Sequence, residues 1–144
     1  MTILGARGES VAEVVLTSAQ VKALAATPIV VVPAPGAGVA AVATWVSYAL
    51  DRNAAYDDAA ADGNLTIEYA TTGTAVITTE ADGFIDAAAD AGKYEPLAAE
   101  VTPLANEGLA VSNDGDEFTG DAGNVNTLRV IVGYRLVPIS PLAQ

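Results

Sequence analysis

The chain has 144 residues, with 18 acidic against 6 basic side chains for a formal charge of -12, and it contains neither His nor Cys. That length is one domain's worth of chain, and burying roughly 70% of its unfolded surface lets such a domain hold a core without disulfides or a metal. The composition removes the usual general base near neutral pH, thiolate chemistry and zinc–cysteine sites, and the charge repels phosphate backbones and anionic lipid surfaces, so the expected partners are proteins, with no direct nucleic acid and no membrane.

Residues Met1 to Ala12, MTILGARGESVA, mix Gly with small and polar residues without a period and read as an extended, flexible arm. With one Arg and no sustained apolar run behind it, this start has no secretory leader and is expected to be a mature end. The first firm element follows in LTSAQVKALAATP. Thr17 suits an N-cap, Gln20 completes a capping box three residues on, and Leu16 with Val21 makes a hydrophobic staple. Pro28 ends this helix after about ten residues, too few to stand alone, so Val21 and Leu24 must dock on something larger.

The larger element is predicted to be β-structure. Ile29 to Val32 is a β-branched run, followed by strong turn chemistry from Pro33 through Gly36 and Gly38. In VAAVATWVSYAL, Val39, Val42, Val46 and Leu50 fit a helical stripe, while Val42, Val46, Tyr48 and Leu50 also share one side of a strand; a strand is the reading adopted. Leu65, Ile67 and Tyr69 alternate with polar neighbours, and Thr72-Gly73 separates them from TAVITT, a hairpin signature. Asp86 to Ala105, Ala-rich and broken by Pro, reads as a long irregular crossover with a helical turn. Leu128, Val130, Val132, Tyr134 and Leu136 then alternate with Arg129, Ile131, Gly133, Arg135 and Val137, the clearest period of two in the chain.

Turns recur at Asp62-Gly63, Thr72-Gly73, Asp82-Gly83, Asp114-Gly115 and Gly120-Asp121, which suits an antiparallel sandwich or barrel. The expected fold class is all-β: an antiparallel, jelly-roll-like β-sandwich with one short N-terminal helix and extended terminal arms. Its divisions are a flexible arm over 1–12, a single sandwich domain over 13–138 and a tail over 139–144, with no internal repeat. Hydrophobic residues reach 51%, but Ala fills 30 positions. The longest apolar stretches, Pro28 to Val46 and Val130 to Val137, are interrupted or too short for the roughly 20 residues of a spanning helix.

Several motifs invite chemistry and yield to simpler readings. PIVVVPAPGAGVAA sets Gly36-x-Gly38-x-x-Ala41 after a strand, with Asp57 and Asp58 where a ribose-binding acid would lie. A dinucleotide site also needs a helix inside a βαβ unit, which the rest of the chain does not supply, and Val39 occupies the place of a phosphate-binding Lys; a Pro-Gly hairpin turn is the better reading. Asp57, Asp58, Asp62 and Asn64, and Asn113, Asp114, Asp116, Glu117 and Asp121, offer oxygen ligands to calcium, but neither matches the twelve-residue loop with its closing Glu, and solvated turns explain them. No spacing places two carboxylates across a cleft, and the five Ser residues have no His to activate them, so no catalytic, metal or cofactor site is assigned and the chain is read as a non-enzyme. The aromatic side chains are expected in the core or at a subunit interface. Arg129 and Arg135, on one side of the last strand, are expected to pair with acids of a neighbouring strand or subunit.

The segments TPLANEGLAVSNDGDEFTG and TLRVIVGYRLVP, with LTSAQVKALAATPIVVVPAPGAG before them and NLTIEY and GFID between, resemble small head proteins of tailed bacteriophages. The blocks span Val14 to Pro138, while RNAAYDDAAADG and DAAADAGKYEP are particular to this chain. The resemblance implies a capsid decoration, or cement, protein: a homotrimeric β-sandwich made in the host cytoplasm, seated on the outer surface of the mature head and clamping capsomers of the major capsid protein. No cofactor is implied. Ile3, Leu4, Arg7 and Val11 are the candidate capsid contacts, on an arm able to add to an exposed strand edge, with the tail Ile139 to Gln144 second. Trp45, Tyr134, Arg129 and Arg135 are the candidate subunit-interface residues. The alternative is a carbohydrate- or receptor-binding β-sandwich using acidic loops and Tyr56, Tyr94 or Phe118.

Overall fold

In a computed structural model of the chain, residues 8–57, 59 and 62–139 are described. The capping box forms as the sequence predicts: the Gln20 N–H donates to the Thr17 hydroxyl at 3.2 Å and the Thr17 N–H donates to the Gln20 side-chain oxygen at 2.9 Å. It opens a helix, α1, of only five residues, Ser18–Lys22, shorter than expected because the chain leaves the helix in a series of turns well before Pro28. Val21 and Leu24 are nonetheless fully buried, as the docking argument requires.

The strands are β1 (Ser10–Thr17), β2 (Ile29–Val32), β3 (Val39–Asp51), β4 (Leu65–Tyr69), β5 (Ala75–Thr79), β6 (Ala91–Pro96), β7 (Leu109–Asn113) and β8 (Thr127–Pro138). They form two antiparallel sheets of four, ordered β1-β8-β3-β6 and β2-β7-β4-β5. The pairs β1 with β8, β2 with β7, β3 with β6 and β4 with β5 are those of one long hairpin ribbon rolled into two layers, which is the jelly-roll arrangement. The layers meet over Leu16, Val46, Tyr48, Leu50, Leu128, Val130 and Val132 from the first sheet and Leu65, Ile67, Tyr69, Ile77, Leu109 and Val111 from the second. The Tyr69 hydroxyl donates across the gap to the Ala41 carbonyl of the facing sheet at 2.9 Å, so this large side chain is buried without an orphaned polar atom.

Four readings of the sequence are corrected here. The segment from Asp86 to Ala105 is not an irregular crossover with a helical turn: it contains β6, an edge strand whose Lys93, Tyr94 and Glu95 draw their pairing from β3 and not from apolar periodicity. Pro33 to Gly38 is no hairpin, because β2 and β3 lie in different sheets; Gly36 (φ 111) and Gly38 (φ 75) bend the chain from one layer to the other. The arm assigned to Met1 to Ala12 ends earlier, since Ser10 already pairs with Tyr134 in β1. Val42 does not share a side with Val46, because a bulge between Ala43 and Trp45 changes the alternation and turns Ala41 and Ala43 inward.

Candidate assembly surface

The register of the first sheet fixes what its outward side displays. Val11, Gly133, Trp45 and Pro96 stand in one cross-strand row; Glu13, Ile131, Ser47 and Tyr94 in the next; Val15, Arg129, Ala49 and Gly92 in a third; Thr17, Thr127 and Asp51 in a fourth. These positions alternate with core residues such as Val46, Tyr48, Val130 and Val132, and so face away from the partner sheet. The side leaves large apolar groups in water among its polar ones, with Val11 60%, Val15 51% and Tyr94 61% exposed. A side turned to water in an antiparallel sheet is normally polar.

Trp45 organises one end. Its ring lies over Gly133, where an added Cβ would meet the indole nitrogen at 2.1 Å, so only Gly leaves room for it. The ring stacks on Tyr94 with centroids 5.9 Å apart and planes inclined by 29°. The indole N–H donates to Glu9 at 2.8 Å, and the Thr44 hydroxyl donates to the other oxygen of the same carboxylate. These bonds, Thr44 first and Trp45 second, with the Arg135 charge beside them, hold the Glu9 carboxyl below the usual range. Two rows away the side chains are small. Ala49 and Gly92, with Val15, Asp51, Asp90, Thr127 and Arg129, line a shallow hollow of about 500 Å³.

Of the residues singled out in the sequence, Trp45, Arg129 and Arg135 come together on this side of the sheet, and Val11 lies at its β1 edge. Arg129 meets an acid of the neighbouring strand, with Nε 3.1 Å from the Glu13 carboxylate. Tyr134 falls on the opposite side, half-buried against the core and opposite Ala43 and Ser10. Ile3, Leu4 and Arg7, and the tail beyond Ile139, lie outside the described residues. Sequence reasoning missed Glu9, Val15, Ala49 and Gly92. In β1 the signal was present: Val11 and Val15 alternate with Ala12, Val14 and Leu16, leaving apolar residues on both sides of one strand.

The acidic loops have internal work. Asp114 accepts the Asn64 N–H at 2.7 Å, Glu117 accepts the Ala26 N–H at 2.9 Å, and Asp57 accepts the Thr119 hydroxyl at 2.9 Å. Asp121, buried, accepts the N–H groups of Val125 and Asn126 at 3.1 and 3.0 Å, while Lys22 closes the loop by donating to the Gly120 and Asp121 carbonyls. Burial pulls the Asp121 pKa upward, but the Ser18 hydroxyl, these N–H groups and the Lys22 charge outweigh it, so the carboxyl titrates below its ordinary range. Among the described residues no cluster of three or more Asp or Glu side chains is arranged to hold a metal, and no helix is long and apolar enough to cross a membrane. Of the aromatics available to a glycan, Tyr56 and Phe118 are core residues, and Tyr94 alone is exposed.

No family model and no curated protein matches the sequence. Among solved structures, the chain is similar to a chain of the "Cyanophage Pam1 capsid asymmetric unit", with 17% identity, a TM-score of 0.51 and coverage of 89% of this chain and 83% of that one. At that identity the likeness is one of fold: the rolled eight-strand sandwich described above is an architecture that also occurs in a phage capsid.

Proposed function

We propose that the chain is a structural virion protein of a tailed phage, a decoration or cement protein that binds the outer surface of the mature head and stabilises contacts between capsomers of the major capsid protein. The observation that carries this reading is the set of large apolar side chains, Val11, Val15 and Tyr94, exposed on the outward side of the β1-β8-β3-β6 sheet in a chain whose described loops are occupied with their own hydrogen bonds. Exposed apolar groups of that kind mark a protein contact more than a catalytic cleft. The fold likeness to a phage capsid chain and the sequence resemblance to phage head proteins support the same reading. An external position also keeps a formal charge of -12 away from packaged DNA.

The clamp is homo-oligomeric, a trimer in the terms of the resemblance, and holds the head through several modest contacts at once. Residues 1–8, with Ile3, Leu4 and Arg7, are its first candidate capsid contact, together with Val11 near the start of β1. A carbohydrate-binding role is supported less, because the core takes Tyr56 and Phe118.

Co-sedimentation with expanded empty heads tests the proposal, using full-length protein and a chain lacking 1–8, which leaves β1 whole. Full-length protein is expected to decorate the heads, and the shortened chain to bind at least about tenfold more weakly. Full-length protein that stays in the supernatant with mature heads would sink the proposal.

A further inference from the structure

The outward side of the β1-β8-β3-β6 sheet has a register that matches itself when reversed. Take Glu13, Ile131, Ser47 and Tyr94 as the middle row. On one side of it stands the row with Trp45 and Pro96, then Arg135; on the other stands the row with Ala49 and Gly92, then Asp51, with Asp90 beside it on the rim of the hollow. Rows are about 6.7 Å apart, two residues of extended chain. Bulk therefore sits one step from the centre at one end and a hollow one step from the centre at the other. Two steps out at the first end stands the Arg135 guanidinium, beside a Glu9 carboxylate already taken by the Thr44 and Trp45 donors, while the other end carries the Asp51 and Asp90 carboxylates.

From this we infer that a second copy of this chain covers the face, stacked on it with strands reversed about a two-fold axis through the Ser47 and Ile131 row. That operation lays Trp45 of each copy over Ala49 of the other, Pro96 over Gly92, Val11 over Val15, and Arg135 within reach of Asp51. Glu13 keeps Arg129 as its ion-pair partner in the middle row. Stacking with strands aligned, about an axis parallel to them, exchanges β8 with β3 and β1 with β6; it sets Trp45 over Gly133, which each copy's own indole ring already covers, and leaves Arg135 over Val42 with no acid opposite. Bulk set against hollow and Arg135 set against Asp51, both met by one and the same rotation, single out a copy of this chain as the occupant. The chain carries 18 acids to 6 cations, so two copies repel over most of their surfaces, yet here Arg135 of each copy comes within reach of the other copy's Asp51. A contact that contains its own two-fold axis closes on itself and does not polymerise.

Four strands about 4.8 Å apart and five rows give a footprint of roughly 500 Å² per copy, at the small end of specific interfaces, so reversible pairing is expected. The inference rests on the self-association part of the proposed function and not on head binding. Where three-fold clamps also form, this contact joins neighbouring clamps.

Charge reversal in full-length protein tests it. Arg135→Asp sets carboxylates against Asp51 of the other copy, and Asp51→Arg sets guanidinium groups against Arg135. Each alone is expected to weaken pairing at least about tenfold by sedimentation equilibrium, and an equimolar mixture of the two to recover to within about threefold of wild type, because a mixed pair carries opposite charges at both ends. The single Trp reports the contact directly: Trp45 emission is expected to move to shorter wavelength as wild type associates, and to stay unchanged with concentration in either single variant. Circular dichroism identifies any variant that fails to fold, and Ala49→Arg, which fills the hollow from an exposed position, then serves as the second disrupting change. A wild-type mass of two chains, or six with three-fold clamps, is required. A mass of one or three chains from micromolar to millimolar protein, or a mixture that does not recover, overturns the inference. Pairing without head binding would leave it standing while the decoration role falls, and head binding without pairing would do the reverse.

Discussion

The two sheets differ in how their outward sides are finished. In the β2-β7-β4-β5 sheet, Thr66, Ala110 and Ser112 alternate with core residues yet are themselves buried, and in a single chain only that chain can be covering them. The Ser112 hydroxyl reaches the Leu24 carbonyl at 3.3 Å, and Glu117, from the loop after β7, takes the N–H groups of Ala25 and Ala26. In the β1-β8-β3-β6 sheet the outward side carries larger apolar groups, and Val11, Val15 and Tyr94 remain exposed. Among the described residues, intrachain contacts thus cover one side, and the other leaves large apolar groups exposed. If the outward side of the first sheet serves association as inferred above, substitutions on the two sheets separate structural from association effects.

The largest separation is expected between Gly115→Val and Ala49→Val. A Cβ at Gly115 would lie 2.6 Å from the Asp62 carbonyl oxygen and 2.7 Å from the Gly63 Cα, so backbone must move where the loop after β7 meets the turn before β4 in the second sheet. That change is expected to cost at least about 3 kcal/mol or to prevent folding. Ala49→Val adds similar bulk on the open side and is expected to shift stability by no more than about 0.5 kcal/mol. Urea midpoints measure both, and equal losses would contradict the reading of Ala49 as an open position of the first sheet.

The fold was largely readable because its strands carry their burial in their sequence. LRVIVGYRLV and LTIEY alternate, and Thr17 with Gln20 announces the helix start. What stayed hidden was set by partners distant in the chain. AGKYEP has no apolar period and becomes a strand only by pairing with Trp45 to Leu50. The bulge at Thr44 reassigns Val42 and brings Trp45 outward over Gly133, which no local pattern announces. The candidate surface was half legible: Trp45, Arg129 and Arg135 were named from residue type, but the row that unites Val11, Gly133, Trp45 and Pro96 needs the register of four strands.

A smaller effect, and one that depends on pH, is expected at Asp121. Its carboxyl titrates lower in the folded chain than in the unfolded one, so its contribution to stability is fully present above the unfolded pKa of about 3.9 and fades as pH falls through the folded value. Asp121→Asn keeps one acceptor and loses the charge that serves the Val125 and Asn126 N–H groups, which is expected to cost about 1–2 kcal/mol at neutral pH. Below the folded pKa wild type is protonated too, and the difference between the two proteins is expected to shrink towards zero. Urea unfolding at neutral pH and near pH 2 checks the sign, and a difference that grows in acid contradicts the assignment.

The smallest effect on stability is expected at the most exposed of the apolar side chains, and it is the most informative about the open side. Tyr94 sits in the middle row, 61% exposed and touching Trp45 on one face of its ring. Tyr94→Ser removes little that is buried in one chain, so the urea midpoint of dilute protein is expected to move by less than about 0.5 kcal/mol. In a pair each Tyr94 lies against the other copy near the two-fold axis, where truncating an aromatic anchor costs most, and association is expected to fall at least about tenfold. Sedimentation equilibrium and unfolding on the same preparations give both numbers. A large stability loss with unchanged association would mean that Tyr94 serves its own chain as Ser112 does, and the contrast between the two outward sides would then be one of degree.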